Sequence, residues 1–259
     1  MKQSTLLYYN IHQDVVAFST TRHGGVSSGN YASFNINRYC GDSEEAIKEN
    51  RRLLCQQLNV EDERLIMPHQ VHLTKTAQID EAYFACPEEE RKELLEGVDA
   101  VMTNLPDVCI GVSTADCIPV LIYDCRRKIA AAIHAGWRGT VKRIVQQTIA
   151  DMKAIYGSEA KDMKAQIGPG ISLDSFEVGD EVYNAFAAAG FDMSLISQRK
   201  EKWHIDLPEC NRLQLIEAGI PSENISVANI CTMKQSDTFF SARRLGIQSG
   251  RIFTGICIR

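Results

Sequence analysis

Apolar positions along this chain fall into short unbroken runs, set between longer stretches that repeat with a helical period. Pro119 to Tyr123 and Ile129 to Ile133 show little alternation, the pattern of strands covered on both faces. The polar Asp124 to Lys128 between them predicts a hairpin or tight connection. Val15 to Thr20, Val98 to Thr103, Val108 to Val112, Ala165 to Gly170, Ile225 to Cys231 and Ile252 to Ile258 read as further strands. In Met67 to Ala77, Pro68 and the alternation Val71, Leu73, Ala77, Ile79 predict a strand as well.

Helical spacing is clearest over Asp42 to Leu58. Asp42 is the expected cap with Glu45 three residues on, and Ala46, Ile47, Leu53, Leu54 and Leu58 form a core-facing stripe. Asn50 and Arg51 interrupt that stripe and are expected at the surface or packing rim. Asp80 to Glu96 reads as an acidic, solvated helix or excursion without chemistry. Val141, Ile144, Val145, Ile149, Met152 and Ile155 mark one face of a helix ending at Gly157. Two more helices are predicted, one carrying Val182 and Phe186, the other from Pro208 to just before Gly219. The strands come in groups and do not alternate strictly with helices. The expected class is α+β: one domain, 1–259, with a mixed β-sheet or β-sandwich core flanked by helices.

Composition narrows the partners. At 259 residues, 44% apolar and 24% charged, the chain is an ordinary globular protein. Its net charge of −5 favours neither nucleic acid nor an anionic membrane. No apolar stretch nears the ~20 residues of a membrane span, and Met1 to Asn10 lacks the features of a signal peptide. Nine cysteines, an odd number without a Cys-x-x-Cys, fit reduced thiols and a cytoplasmic location.

Chemistry gathers around the two unbroken runs. Cys117 precedes the first and His134 follows the second, so antiparallel pairing brings thiol and imidazole together, as a metal site or a nucleophile–base pair. On the strand expected at 67–77, His72 shares a face with Gln70, Thr74 and Thr76, while His69 points away. Gly136 and Gly139 flank Trp137 and Arg138 ahead of a predicted helix, whose N-terminal amides favour an anion. Gly24 and Gly25 follow Arg22 in a loop that is either a second anion cradle or a plain turn. Phe239 and Phe240 beside Arg243 and Arg244 are either a base platform with charged partners or a core pair with a surface pair.

These blocks together carry a resemblance. His69-Gln70-Val71-His72, Ala115-Asp116-Cys117-Ile118-Pro119-Val120, His134-Ala135-Gly136-Trp137-Arg138-Gly139, Ile167-Gly168-Pro169, Phe176-Glu177-Val178-Gly179 and Phe239-Phe240-Ser241 with Arg243-Arg244 occur in order over nearly the whole chain. The chain resembles the purine nucleoside phosphorylase/polyphenol oxidase (laccase-domain) family, also named for a peptidoglycan-editing factor. The resemblance implies an α+β domain and a zinc site at His72, Cys117 and His134 with an open fourth position; copper is the other metal attached to the family. It implies phosphorolysis of adenosine, inosine or methylthioadenosine, and it admits deamination of adenosine. Polyphenol oxidation with copper, hydrolysis of a nucleotide-linked peptidoglycan precursor, and metal-stabilised binding without turnover are the alternatives. In the first reading Cys117, His134 and His72 are catalytic, with Asp116 as an acid/base or supporting group. Arg22, Arg138 and Arg243 bind substrate or phosphate, and Phe240 stacks on the base. The chain departs from the family pattern at Leu73, Ala242 and Leu245.

Overall fold

Residues 5–259 are described by a computed structural model, in which two sheets lie face to face and helices cover both outer faces. The first sheet has the order Leu6–Tyr9, Val15–Thr20, Ile252–Ile258, Cys109–Thr114, Leu65–Ile66. The second runs Ile225–Val227, Met163–Ile167, Ile118–Asp124, Ile129–Ala135, Ala100–Thr103, Thr76–Ile79. Both are mixed: Leu65–Ile66 pairs parallel to its neighbour, and so does Thr76–Ile79, whereas the central strands pair antiparallel. A small three-stranded sheet of Glu177–Val178, Trp203–Ile205 and Ser197–Arg199 stands apart from them in pairing.

Side chains alternate across a strand, so each central strand feeds two cores. Ala17, Val112 and Ile256 of the first sheet meet Val101, Leu121, Tyr123 and Ala132 of the second. The second sheet's other face, with Val120, Ile122 and Ile133, packs on Val145, Ile149, Met152 and Leu215 of helices Ile144–Tyr156 and Leu207–Glu217. The first sheet's other face, with Phe18, Phe253 and Cys257, packs on Leu54 and Leu58 of helix Glu44–Leu58. This helix–sheet–sheet–helix layering explains the unbroken apolar runs. Ile118–Asp124 and Ile129–Ala135 are buried at every position because both their faces are covered. Each fully buried aliphatic side chain is worth about 1.5–3 kcal/mol, so a one-residue slip of this hairpin is heavily penalised. The α+β class with mixed sheets is the one the patterning predicts.

Several local expectations are corrected. Ser43, not Asp42, caps the first long helix, accepting from the Ala46 amide at 3.2 Å while its hydroxyl donates to Glu45 at 2.8 Å. Asp42 instead accepts from Ser27 and Asn35. Asn50 and Arg51 are buried, because the helix uses them to hold other segments. The Asn50 amide donates to Ser27 Oγ and to the carbonyls of Ser33 and Asn35, and its oxygen accepts from Val26. Arg51 binds Asp62 and the Leu65 carbonyl.

Residues 67–75 form a loop instead of a strand, with a single bridge between His69 and Glu96; the strand begins at Thr76. Asp80 to Glu96 folds as two short helices, Glu81–Ala85 and Glu88–Leu94. The helix predicted from Val141 is two pieces, Trp137–Val141 and Ile144–Tyr156, broken at Arg143 with φ 62°, and Ile155 is exposed. The strand expected over 225–231 stops at Val227. Part of the N-terminal stretch read for a leader, residues 1–4, lies outside the described residues. No helix among the described residues is long and apolar enough to cross a membrane.

Candidate metal centre

The hairpin does what its sequence predicts. Its register sets Ile118 opposite Ala135 and Pro119 opposite His134, so Cys117 emerges beside His134 at the open end of the strands. The 67–75 loop brings in His72. Ligand atoms of His72, Cys117 and His134 all lie within 4.8 Å of one another, the one such cluster among the described residues. The two imidazole rings meet edge-on with centroids 4.7 Å apart. His134 is buried, Cys117 half-buried and His72 exposed, so the centre opens on the His72 side.

His72 arrives by a different route from the one expected. It has φ 64°, a left-handed turn residue, and no strand face selects it. Asp99 makes the turn: its carboxylate accepts from the amides of Val71, His72 and Leu73 at 3.3, 3.0 and 2.8 Å. The same carboxylate, fully buried, binds His134 Nδ1 at 2.7 Å. His69 turns elsewhere, bonded to Glu96 and stacked on Tyr39. Gln70 locks the loop to the first sheet by bonding both the amide and the carbonyl of Ser113.

The glycines of the 134–139 block are there for closeness. A Cβ on Gly136 would sit 3.0 Å from both Cys117 Sγ and His72 Cδ2 and 3.7 Å from His134 Cε1. A Cβ on Gly139 would lie 3.0 Å from the Leu73 carbonyl. Bulk at either position would push the ligand-bearing segments apart.

Charge within the centre is coupled. Burial alone would raise the Cys117 thiol, but the His134 charge and hydrogen bonds from both imidazoles bring it down to about 6. Burial alone would lower His134, but the Cys117 charge and the Asp99 hydrogen bond push it up to about 9. Asp99 stays below the usual carboxylate range: burial opposes ionisation, and the bonds from His134 and the loop amides outweigh it. Both shifts favour the thiolate, the form of Cys117 that binds metal, paired with a proton on His134 that an incoming ion displaces. One thiolate, two imidazoles and a carboxylate behind one imidazole make a donor set that fits zinc or another soft-to-borderline ion, with room for a fourth ligand.

The remaining predicted residues divide. Asp116 has both carboxylate oxygens engaged, by the Thr232 hydroxyl and the Arg243 amide at 2.7 Å each. It ties those segments to the Cys117 strand. Phe240 is fully buried under the Arg22 guanidinium, so neither ring face is open to a base. Arg22 donates to the Ala32 and Ser236 carbonyls, and the amides of His23, Gly25, Val26 and Ser27 bond within their own neighbourhood. That loop is a closed turn. Arg243 is exposed, with its guanidinium on the Glu177 carbonyl and near the Phe176 ring. Arg138 is exposed, 4.3 Å over the Trp137 ring, without a carboxylate partner among the described residues. The helix beginning at Trp137 is five residues long, too short for the dipole argument made for it.

The family model described as multi-copper polyphenol oxidoreductase laccase matches residues 16–259. The chain belongs to this family. Within the laccase-type family it is 50% identical to a purine nucleoside phosphorylase of Bacteroides thetaiotaomicron, over 95% of this chain and 93% of the relative. It is 44% identical to adenosine deaminase RL5 from an unknown prokaryotic organism, over 94% of each chain. The crystal structure of YlmD from Geobacillus stearothermophilus superposes with a TM-score of 0.92 at 29% identity, over 100% of this chain and 98% of that one.

Asp99 is the residue that sequence reasoning missed. Its signal was a carboxylate inside the apolar run Val98 to Thr103, where an acid persists only if it is fully bonded.

Proposed function

We propose that this chain is a zinc-dependent purine nucleoside phosphorylase, cleaving adenosine, inosine or methylthioadenosine with phosphate. One observation carries the reading: a cysteine sulfur and two imidazoles converge, open on one side, in a chain half identical to a relative named purine nucleoside phosphorylase. In phosphorolysis a phosphate oxygen bonds to C1′ of the sugar as the C1′–N bond breaks, and that electron pair leaves with the purine. Zinc held by His72, Cys117 and His134 supplies Lewis acidity at the open side. The chain's own groups do the positioning. Arg138 offers an uncommitted guanidinium, backed by Trp137, for a bidentate grip on phosphate. Arg243 adds a second cation beside the Asp116 turn. Exposed Val71 and Leu73 flank His72 and give the opening an apolar border suited to a flat purine.

The relative named adenosine deaminase supports a second activity at the same centre, attack of water at the purine C6 with release of ammonia. Copper-dependent oxidation has less support, since multicopper chemistry uses several centres and the described residues hold one cluster. The nine free cysteines fit a reducing compartment. Chromatography of adenosine reactions with and without phosphate tests the reading. Adenine and ribose 1-phosphate appearing only when phosphate is present are expected. Inosine independent of phosphate would make deamination the main activity, and no turnover by metal-loaded protein would overturn both.

A further inference from the structure

We infer that Asp99 is a positioning residue that presets both histidines of the triad before any metal arrives. The inference rests on the metal reading above and adds to it how the centre is preformed. Asp99 Oδ1 lies 2.7 Å from His134 Nδ1 and 3.0 Å from the His72 amide, so one oxygen touches both ligand residues. Oδ2 takes the amides on either side of His72. The backbone of Asp99 repeats the arrangement: its carbonyl accepts the His134 amide at 2.8 Å, and its amide donates to the Lys75 carbonyl at 2.9 Å.

Two consequences follow from donor and acceptor chemistry. A carboxylate facing His134 Nδ1 holds a proton there, so Nε2 is the nitrogen left to give its lone pair to a metal, releasing its own proton as the ion binds. The three amides curl the 71–73 loop around the carboxylate and hold His72 in the left-handed conformation that a side-chain-bearing residue otherwise avoids. The loop has no regular pairing of its own to fix that geometry. A buried carboxylate with four donors around it tolerates no close substitute. Asparagine would turn an N–H₂ toward N–H groups and leave at least two of them unpaired.

The test compares zinc affinity, by competition with a chromophoric chelator, for the wild type and Asp99→Asn, with circular dichroism to confirm the fold. It is paired with ¹⁵N-resolved imidazole spectra of the wild type. The expected result is a folded variant that binds zinc about 10- to 100-fold more weakly, and a wild-type His134 carrying its proton on Nδ1. A folded variant with wild-type affinity, or a wild-type His134 with Nδ1 bare, overturns the inference. Should Asp99→Asn fail to fold, the wild-type spectrum decides alone. A wild type that binds no metal at all would instead remove the metal reading on which the inference stands.

Discussion

Two turns in this molecule have the same ingredients, paired or near-paired glycines beside an arginine, and opposite fates. At Gly24–Gly25 a Cβ on Gly25 would fall 2.1 Å from the Ser33 carbonyl and 2.5 Å from Asn50 Oδ1, and Arg22 is spent on backbone carbonyls. At Gly136–Gly139 the close neighbours are Cys117, His72 and the Leu73 carbonyl, and Arg138 stays exposed on Trp137. Glycine reports in both cases that something comes close. In one turn what comes close is more of the same fold, and in the other it is a set of metal-type ligands. The difference lies in the neighbours, which the local sequence of either turn does not contain.

Removing a ligand breaks this comparison most severely. Cys117→Ala should lower metal affinity by more than the about 100-fold that loss of an outer partner costs, with activity falling in step, as metal analysis and turnover assays will read. The two glycines come next. Gly136→Ala should keep the fold but weaken metal binding by about tenfold or more, as the new Cβ separates Cys117 from His72. Gly25→Ala should leave metal affinity alone and cost about 3 kcal/mol, about 6–12 °C in Tm. If both variants lose stability equally and neither loses metal, the distinction between the turns fails.

The arginines sharpen it further. Arg22→Ala should lower stability by about 1.5–3 kcal/mol, because two carbonyls lose a charged donor. Arg138→Ala should leave Tm unchanged and raise the KM for phosphate. The smallest effect is one of pH. In metal-free protein the Cys117 thiol, brought down to about 6, is protonated below that pH and a thiolate above it, so its alkylation rate should rise with a midpoint near pH 6. Cys55, pushed up to about 11 by burial first of all, should stay unreactive throughout that range. A midpoint near 9 for Cys117 would show that the imidazoles do not stabilise its charge.

How much of this was legible follows from which contacts are local. The hairpin was, because its runs, its polar turn and the ligands at its ends sit within one short stretch, and antiparallel pairing has only one way to close it. His72 was selected for a face it does not use: alternation in 71–79 suggested a strand, but the loop is bent by a carboxylate from another strand. Arg22 and Phe240 looked chemical because nothing nearby in sequence revealed that each would cover the other. Asn50 carried a usable signal, since a polar residue breaking an apolar helix stripe either faces water or holds a segment that crosses the helix. Here it holds four groups of the closed turn and its surroundings. For Asp116 the local sequence left acid/base and supporting roles both open, because the partners of its carboxylate, Thr232 and Arg243, come from the far end of the chain.

X-ray absorption at the zinc edge on purified protein tests the central claim most directly. The account predicts about one zinc per chain, with one sulfur near ~2.3 Å, two imidazole nitrogens near ~2.0–2.1 Å and one further light atom, and loss of the sulfur shell in Cys117→Ala. Protein that takes up no metal, or a bound zinc with no sulfur in its shell, would contradict it.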